Sequence, residues 1–172
     1  MAITNSAPHE FDVVGHFLGC DYARITAFQP RRSDALVAPI SMVLETTGGL
    51  LTTVEINNNA AYGYDMRAEL VDEAGSLATN PVAYTRRDAG LATANRYDSD
   101  WRDRYAEASR QQNKAFLAFV RSGHFPAKAA DAWDGLAAAL VAEAGVVVLR
   151  EGHKVAVSRT EQPAFFAAKG GK

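Results

Sequence analysis

Apolar residues recur every three or four positions near the start of the chain. Phe11, Val14 and Leu18 form one stripe, with Val13 and Phe17 beside it, and that period is helical. Ser6 stands where an N-cap would. Pro8 suits a first turn, where its missing donor would go unpaired anyway, and Gly19 is a natural stop. The spacing predicts a helix that starts near Ser6 to Pro8 and ends at Gly19.

The period then shortens to two. "YARITAFQP" and "ALVAPISMVLETTGGLLTTVEINNN" read as strands, with Thr47, Gly48 and Gly49 marking a tight hairpin. Met42, Leu44 and Thr46 share one face, and Val54 and Ile56 share a face of the next strand. "MRAELVDEAGSLAT" predicts a second hairpin turning at Asp72 to Gly75, whereas "RRDAGLATAN" has no clean period and is expected to loop. Helical spacing returns twice. Tyr105, Ala108, Gln112, Phe116, Phe119 and Val120 form a stripe that Gly123 stops. Trp133, Leu136, Leu140, Ala144, Val147 and Val148 form another, among alanines that allow close packing. "HKVAVS" predicts a last short strand. The order implies an α+β layer: a helix, an antiparallel meander covered on one side, then two helices returning to one face.

Composition narrows the classes. A length of 172 residues with 48% hydrophobic and 22% charged residues predicts one globular domain, set at residues 1–160 with a flexible tail over 161–172. The net charge of −2 gives no electrostatic reason to expect nucleic acid or an anionic membrane as a partner. The single Cys20 cannot pair within the chain, which suits a reducing cytoplasm. "MAITNSAPHE" lacks the basic and apolar regions of a signal peptide. No apolar run is expected to reach the roughly 18 residues of a membrane span, so a soluble cytoplasmic protein is expected.

Two clusters carry candidate chemistry. Asn5 and His9 are four apart and His9 and Asp12 three apart, which on a helix places all three on one face. A histidine beside a carboxylate can move a proton near neutral pH. The same residues also read as a capped helix start, with Asn5 and Ser6 as caps and Glu10 and Asp12 favoured by the macrodipole. The second cluster is "NNNAAYGYDMR", Asn57 to Arg67, whose amides and the rings of Tyr62 and Tyr64 suit polyol hydroxyls; it reads equally as a strand end with a Gly turn and two interfacial tyrosines. The chain has no Gly-x-Gly-x-x-Gly, Walker or Gly-x-Ser-x-Gly element. Its four histidines lack metal-site spacing, apart from a chance helical trio of His9, Asp12 and His16, so no metal is expected.

"SAPHEFDVVGHFLG", "GGLLTTVEINNNAAYGYDMRAELVDEAGSLAT" and the stretch from "RDRYAEAS" to "HKVAV" together resemble the C-terminal half of the Gfo/Idh/MocA family, the glucose–fructose oxidoreductases and inositol 2-dehydrogenases. The resemblance spans roughly residues 3–158, and the His-Glu-Phe-Asp and Tyr-Gly-Tyr-Asp segments are most like the inositol dehydrogenases. It implies an open, mostly antiparallel sheet with helices on one face, a polyol or sugar-like substrate, and a homo-oligomer. It also implies that the chain begins at the seam with an NAD(P)-binding Rossmann domain. No cofactor would then be bound by this chain alone, and NAD(P) would enter through a full-length protein or a separate NAD(P)-binding subunit.

Position by position, the resemblance makes His9 the catalytic histidine, Asp12 a carboxylate for substrate hydroxyls and Tyr64 a substrate-contacting tyrosine, with Tyr62 beside it. The departures are specific. Asn5 stands where the family usually carries an aspartate that works with the histidine. Ser109 stands near a substrate tyrosine of the inositol dehydrogenases. Gly15 and His16 stand where Arg-Trp often follows, and the lysine of the Rossmann half has no counterpart. Three functions remain open: the substrate-binding half of a dehydrogenase, inactive in hydride transfer alone; a cofactor-free isomerase or dehydratase using His9; or a structural oligomerisation module.

Overall fold

A computed structural model describes residues 2–30, 39–79, 86–158 and 160–167. The chain divides into two compact units: unit 1 is residues 1–59 with 128–172, and unit 2 is residues 60–127.

In unit 1, helix α1 (Ala2–Asn5) and helix α2 (Ala7–Leu18) are separated by the single residue Ser6. Helix α2 starts where the pattern predicts, with Ser6 at the N-cap position and Pro8 in the first turn; the short α1 before it has no counterpart in the pattern. Gly19 stops it in the left-handed region, as its position implied. A four-stranded antiparallel sheet follows, in the order β3-β2-β1-β8: β1 (Tyr22–Phe28), β2 (Ile40–Thr46), β3 (Leu51–Ile56) and β8 (Val155–Ala156). The register pairs Ile25 with Leu44 and Met42 with Val54, so the alternating apolar positions fall on one face. The turn between β2 and β3 closes at Thr46 to Gly49, and the buried Thr46 hydroxyl accepts from Leu50 N–H at 2.9 Å. Residues 31–38, which include the start of the predicted second strand, lie outside the described residues.

Helix α5 (Ala132–Glu151) covers that face. Ala138, Val141, Ala142, Ala144, Gly145 and Val148 are buried with Ile25, Met42 and Leu44 of the sheet and with Ile3 and Phe11 of α1 and α2. Small residues allow the close approach. A Cβ at Gly145 would stand 3.1 Å from Ile3 Cγ1 and 3.2 Å from Ile25 Cδ1, closer than carbon atoms normally sit. At 20 residues α5 is long and apolar enough to cross a bilayer, contrary to the expectation that no such stretch exists. A third of that stretch is buried, at Ala, Gly and Val positions that face the sheet. Tyr22 completes the packing: its hydroxyl donates to Phe11 C=O at 3.0 Å, and its ring meets Phe11 edge-on. Burial, and next the charges at Cys20 and Asp12, push its phenol well above the ordinary tyrosine range.

The sheet's other face carries Arg24, Glu45 and Lys154. Glu45 takes Arg24 Nε at 2.6 Å on one oxygen and Lys154 Nζ on the other. A helical turn α6 (Ala164–Ala167) brings Phe166 against Trp133, ring centroids 6.4 Å apart.

Unit 2 holds two hairpins, β4–β5 (Glu69–Val71, Ser76–Ala78) and β6–β7 (Arg86–Ala89, Ala92–Asn95), and helices α3 (Trp101–Arg104) and α4 (Ala106–Ser122). The first hairpin turns where predicted, with Asp72 Oδ1 accepting from Ala74 and Gly75 N–H at 2.7 and 3.0 Å. The second replaces the loop expected over residues 86–95. Gly90 and Leu91, both at positive φ, make the turn, and period two was absent because neither face is buried. Tyr105 divides the single helix expected from Asp100 onward. The apolar stripe of α4 is not core: no described residue of unit 2 is buried as a whole, and Phe116 and Val120 are 61% and 64% exposed. A period shows that a helix has a face; it does not show what covers that face.

Candidate functional site

The first candidate group sits at the break between α1 and α2. Ile3, Ala7 and Phe11 are driven into the core, which leaves Asn5 and His9 exposed and Asp12 half-buried. Ser6 occupies the N-cap position with helical dihedrals (φ −99°, ψ −43°) and makes no capping bond. Its hydroxyl instead pairs with the Asn58 side chain, accepting from Nδ2 at 3.0 Å and lying 3.2 Å from Oδ1. Asn58 follows β3, so the end of the sheet holds the helix break. The capped-start reading of Ser6 thus gives way to a tie between the two sequence clusters that the pattern had not joined. Asn59 N–H folds back on Asn57 Oδ1 at 3.1 Å, an Asx turn that ends unit 1.

Among the described residues, no hydrogen bond or ion pair joins His9 to Asp12, and no group of three His, Cys, Asp or Glu converges to hold a metal ion. The imidazole is therefore free to meet a ligand, with its tautomer unfixed by the carboxylate. Glu10, which the pattern assigned only to the helix dipole, is half-buried. Burial raises its carboxyl above the ordinary glutamate range, partly opposed by His9.

A raised folded-state carboxyl makes the folded chain the better proton binder. The associated stability is present at low pH and is lost as pH rises through the raised pKa. Glu10→Gln fixes the neutral form. It is expected to raise the melting temperature at pH 7 and to change it little below the ordinary glutamate range. Calorimetry at both pH values checks this, and a variant that melts below wild type at pH 7 refutes the burial argument.

The second group lies in unit 2. Tyr64 N–H donates to Asp98 C=O at 2.8 Å in an isolated antiparallel bridge, and the Tyr64 ring meets Tyr105 edge-on at 6.0 Å. Tyr62 meets Tyr97 at 5.1 Å. Between the two tyrosines Gly63, at φ +127°, lets the chain pass against Tyr97. Asp65 pairs with Arg67 at 2.7 Å, which holds the guanidinium further toward its charged form, and Arg67 Nη2 also donates to Tyr97 Oη at 3.0 Å. Tyr105, expected on the stripe of the following helix, lines this group. Asp65 and Arg67, two apart in an extended segment and so on one side, were the readable signal for the pair. Asn5, His9 and Asp12 thus fall in unit 1, and Tyr62 and Tyr64 in unit 2. A shallow concavity of ≈ 350 Å³ over β6–β7, lined by Asp88, Ala89, Leu91, Ala92 and Thr93, contains none of them.

Helix N-termini are where a dinucleotide diphosphate would bind. Here Asp100 Oδ1 takes Arg102 N–H at the start of α3, and Asp131 Oδ1 takes Trp133 and Asp134 N–H at the start of α5. Those amides are satisfied by the chain's own carboxylates, so the described residues do not fit a nicotinamide dinucleotide at these helix starts, and the chemistry below runs through none.

Residues 1–78 match the model of the GFO/IDH/MocA C-terminal domain. Over 170 residues, 96% of the chain, the sequence is 38% identical to inositol 2-dehydrogenase 1 of Saccharopolyspora erythraea, of which it covers 50%. Residues 1–78 of this chain belong to the Gfo/Idh/MocA C-terminal domain family. The chain is also 36% identical to inositol 2-dehydrogenase of Pseudomonas fluorescens, over 97% of its length and 50% of that protein. Its fold superposes with a TM-score of 0.86 on the crystal structure of myo-inositol dehydrogenase from Lactobacillus casei in complex with NAD(H) and myo-inositol, at 26% identity, over 96% of the chain and 50% of that structure. The chain spans about half the length of the curated relatives it matches. The α+β class, with an open antiparallel sheet and helices packed against it, agrees with these domains.

Proposed function

We propose that this domain binds a polyol of the inositol type and serves as the substrate-binding half of an NAD(P)-dependent dehydrogenase. The nicotinamide would be held by further sequence or by a partner chain. The likeness over 96% of the chain to a myo-inositol dehydrogenase complexed with NAD(H) and myo-inositol carries the reading. His9 is assigned the proton of the reacting hydroxyl, its exposed imidazole accepting it as the hydroxyl carbon is oxidised. Asp12 accepts hydrogen bonds from ring hydroxyls, and Tyr64 is assigned a hydroxyl contact from its place in the Tyr-Gly-Tyr-Asp segment. Asn5 is an amide, so it cannot take the proton onward from His9 as an aspartate would.

Calorimetric titration of the chain with myo-inositol tests this. Saturable binding is expected. Asp12→Asn should weaken it roughly tenfold or more, as for loss of a hydrogen bond to a charged group, while His9→Ala should change affinity less. Absence of binding by the wild-type chain overturns the reading.

A cofactor-free isomerisation or dehydration at His9 is the second reading, favoured by the amide at Asn5. An Asn5→Asp variant that gains no dehydrogenase activity with any nicotinamide-binding partner supports it.

A further inference from the structure

We propose that Arg67 is the positioning residue of the tyrosine-bearing segment, tying Tyr62 and Tyr64 to Tyr97 in the arrangement that meets a polyol; the last clause rests on the proposed function. One guanidinium reaches both sides of the arrangement. Its Nη2 stands 2.7 Å from Asp65 Oδ2, on the residue after Tyr64, and 3.0 Å from the hydroxyl of Tyr97, whose ring meets Tyr62.

The two ends of this link differ in burial. The Asp65 side chain is 7% exposed and its Oδ1 has no hydrogen-bond partner among the described residues, whereas the Arg67 side chain is 66% exposed. Arg67 is thus the partner that compensates a charge removed from water. A buried carboxylate that loses its partner cation is drawn toward water, and its segment with it. Asp65 directly follows Tyr64, so that movement would strain the bond from Tyr64 N–H to Asp98 C=O. The close pass of Gly63 against Tyr97 means that Tyr62 and Tyr97 would have to separate as well. An ordinary surface ion pair would have none of these consequences, because both charges would already be hydrated. Both contacts leave from the single nitrogen Nη2, so the three donors of a lysine ammonium reproduce them in kind, from a shorter and less rigid side chain.

The test uses the whole chain and three readouts: the nuclear Overhauser contact between the Tyr62 and Tyr97 rings, amide exchange at Tyr64, and calorimetric affinity for myo-inositol. In Arg67→Ala the ring contact should disappear, Tyr64 exchange should accelerate, and affinity should fall about tenfold; Arg67→Lys should recover part of each. Adding Asp65→Asn to Arg67→Ala should slow Tyr64 exchange again, since the uncompensated charge is gone, a rescue that simple loss of a side chain would not give. Should Arg67→Ala unfold unit 2, Tyr97→Phe removes only the hydroxyl and should weaken the ring contact in the same direction. Unchanged ring contact and exchange in Arg67→Ala overturn the proposal. Loss of both in a chain whose wild type ignores myo-inositol supports Arg67 as the anchor and refutes the polyol reading instead.

Discussion

Gly145→Val is expected to destabilise unit 1 by about 3 kcal/mol, the upper end of the usual cost of overpacking a core. The glycine lies in the buried face of α5, where any Cβ would press on Ile3 and Ile25, both fully buried. A glycine inside a helix ordinarily costs about 1 kcal/mol relative to alanine, so only the space it leaves explains its place here. Urea unfolding followed by circular dichroism should show a lower midpoint at unchanged slope. The contact is specific enough for a second variant to identify it. Ile3→Ala alone should cost about 2–5 kcal/mol, yet combined with Gly145→Val the total should fall short of the sum by more than about 1 kcal/mol, because the valine fills what the isoleucine vacates. Strict additivity would mean that the two side chains do not compete for one space. The polar cluster at the start of the chain is positioned by this same contact, since Ile3 lies two residues before Asn5.

Gly63→Ala is expected to open the tyrosine segment of unit 2. At φ +127° an L-residue is strained by about 1–3 kcal/mol before any contact is considered. The added Cβ would also stand 2.6 Å from Tyr97 Cβ and 2.9 Å from Asp98 C=O. The backbone carbonyl is the same one that accepts from Tyr64 N–H, so it cannot withdraw without giving up that bond. With no described residue of unit 2 buried as a whole, local contacts are too few to hold the strain, and the bridge should break. Amide exchange at Tyr64 should rise by about 100-fold, with exchange at the buried Ile25 and Leu44 of unit 1 unchanged. Retained protection at Tyr64 would contradict the geometry.

Legibility in the sequence followed burial. Met42, Leu44, Thr46, Val54 and Ile56 alternate because one face of the sheet is covered, and every one of them is buried as the period required. Gly19, Gly48–Gly49 and Asp72–Gly75 were readable because turns need particular residues whatever surrounds them. The hairpin at residues 86–95 was not, because neither of its faces is buried and nothing selects an alternating pattern. Tyr105 and Phe116 were placed on one stripe by a genuine helical period, yet the period contains no information about the partner surface. In the candidate clusters the residue types at His9, Asp12 and Tyr64 could be read, but no bond between His9 and Asp12 followed among the described residues. The ties that place them were less legible. Ser6 to Asn58 spans 52 residues and Arg67 to Tyr97 spans 30, and no local pattern encodes contacts so far apart.

The pairing of β8 bears on how the sheet ends. Val155 and Ala156 pair with β1 and Val157 N–H adds a bond to Ala23 C=O at 2.9 Å; the chain reaches them by turning at Gly152, whose N–H closes the last turn of α5 on Val148 C=O. Lys154 then crosses β1 to Glu45, alongside Arg24. An edge two residues long gives a neighbouring molecule almost no ladder to extend, and the charges beside it disfavour an approaching strand. Protection against edge-to-edge aggregation at this side of the sheet is therefore a property of the end of a helix.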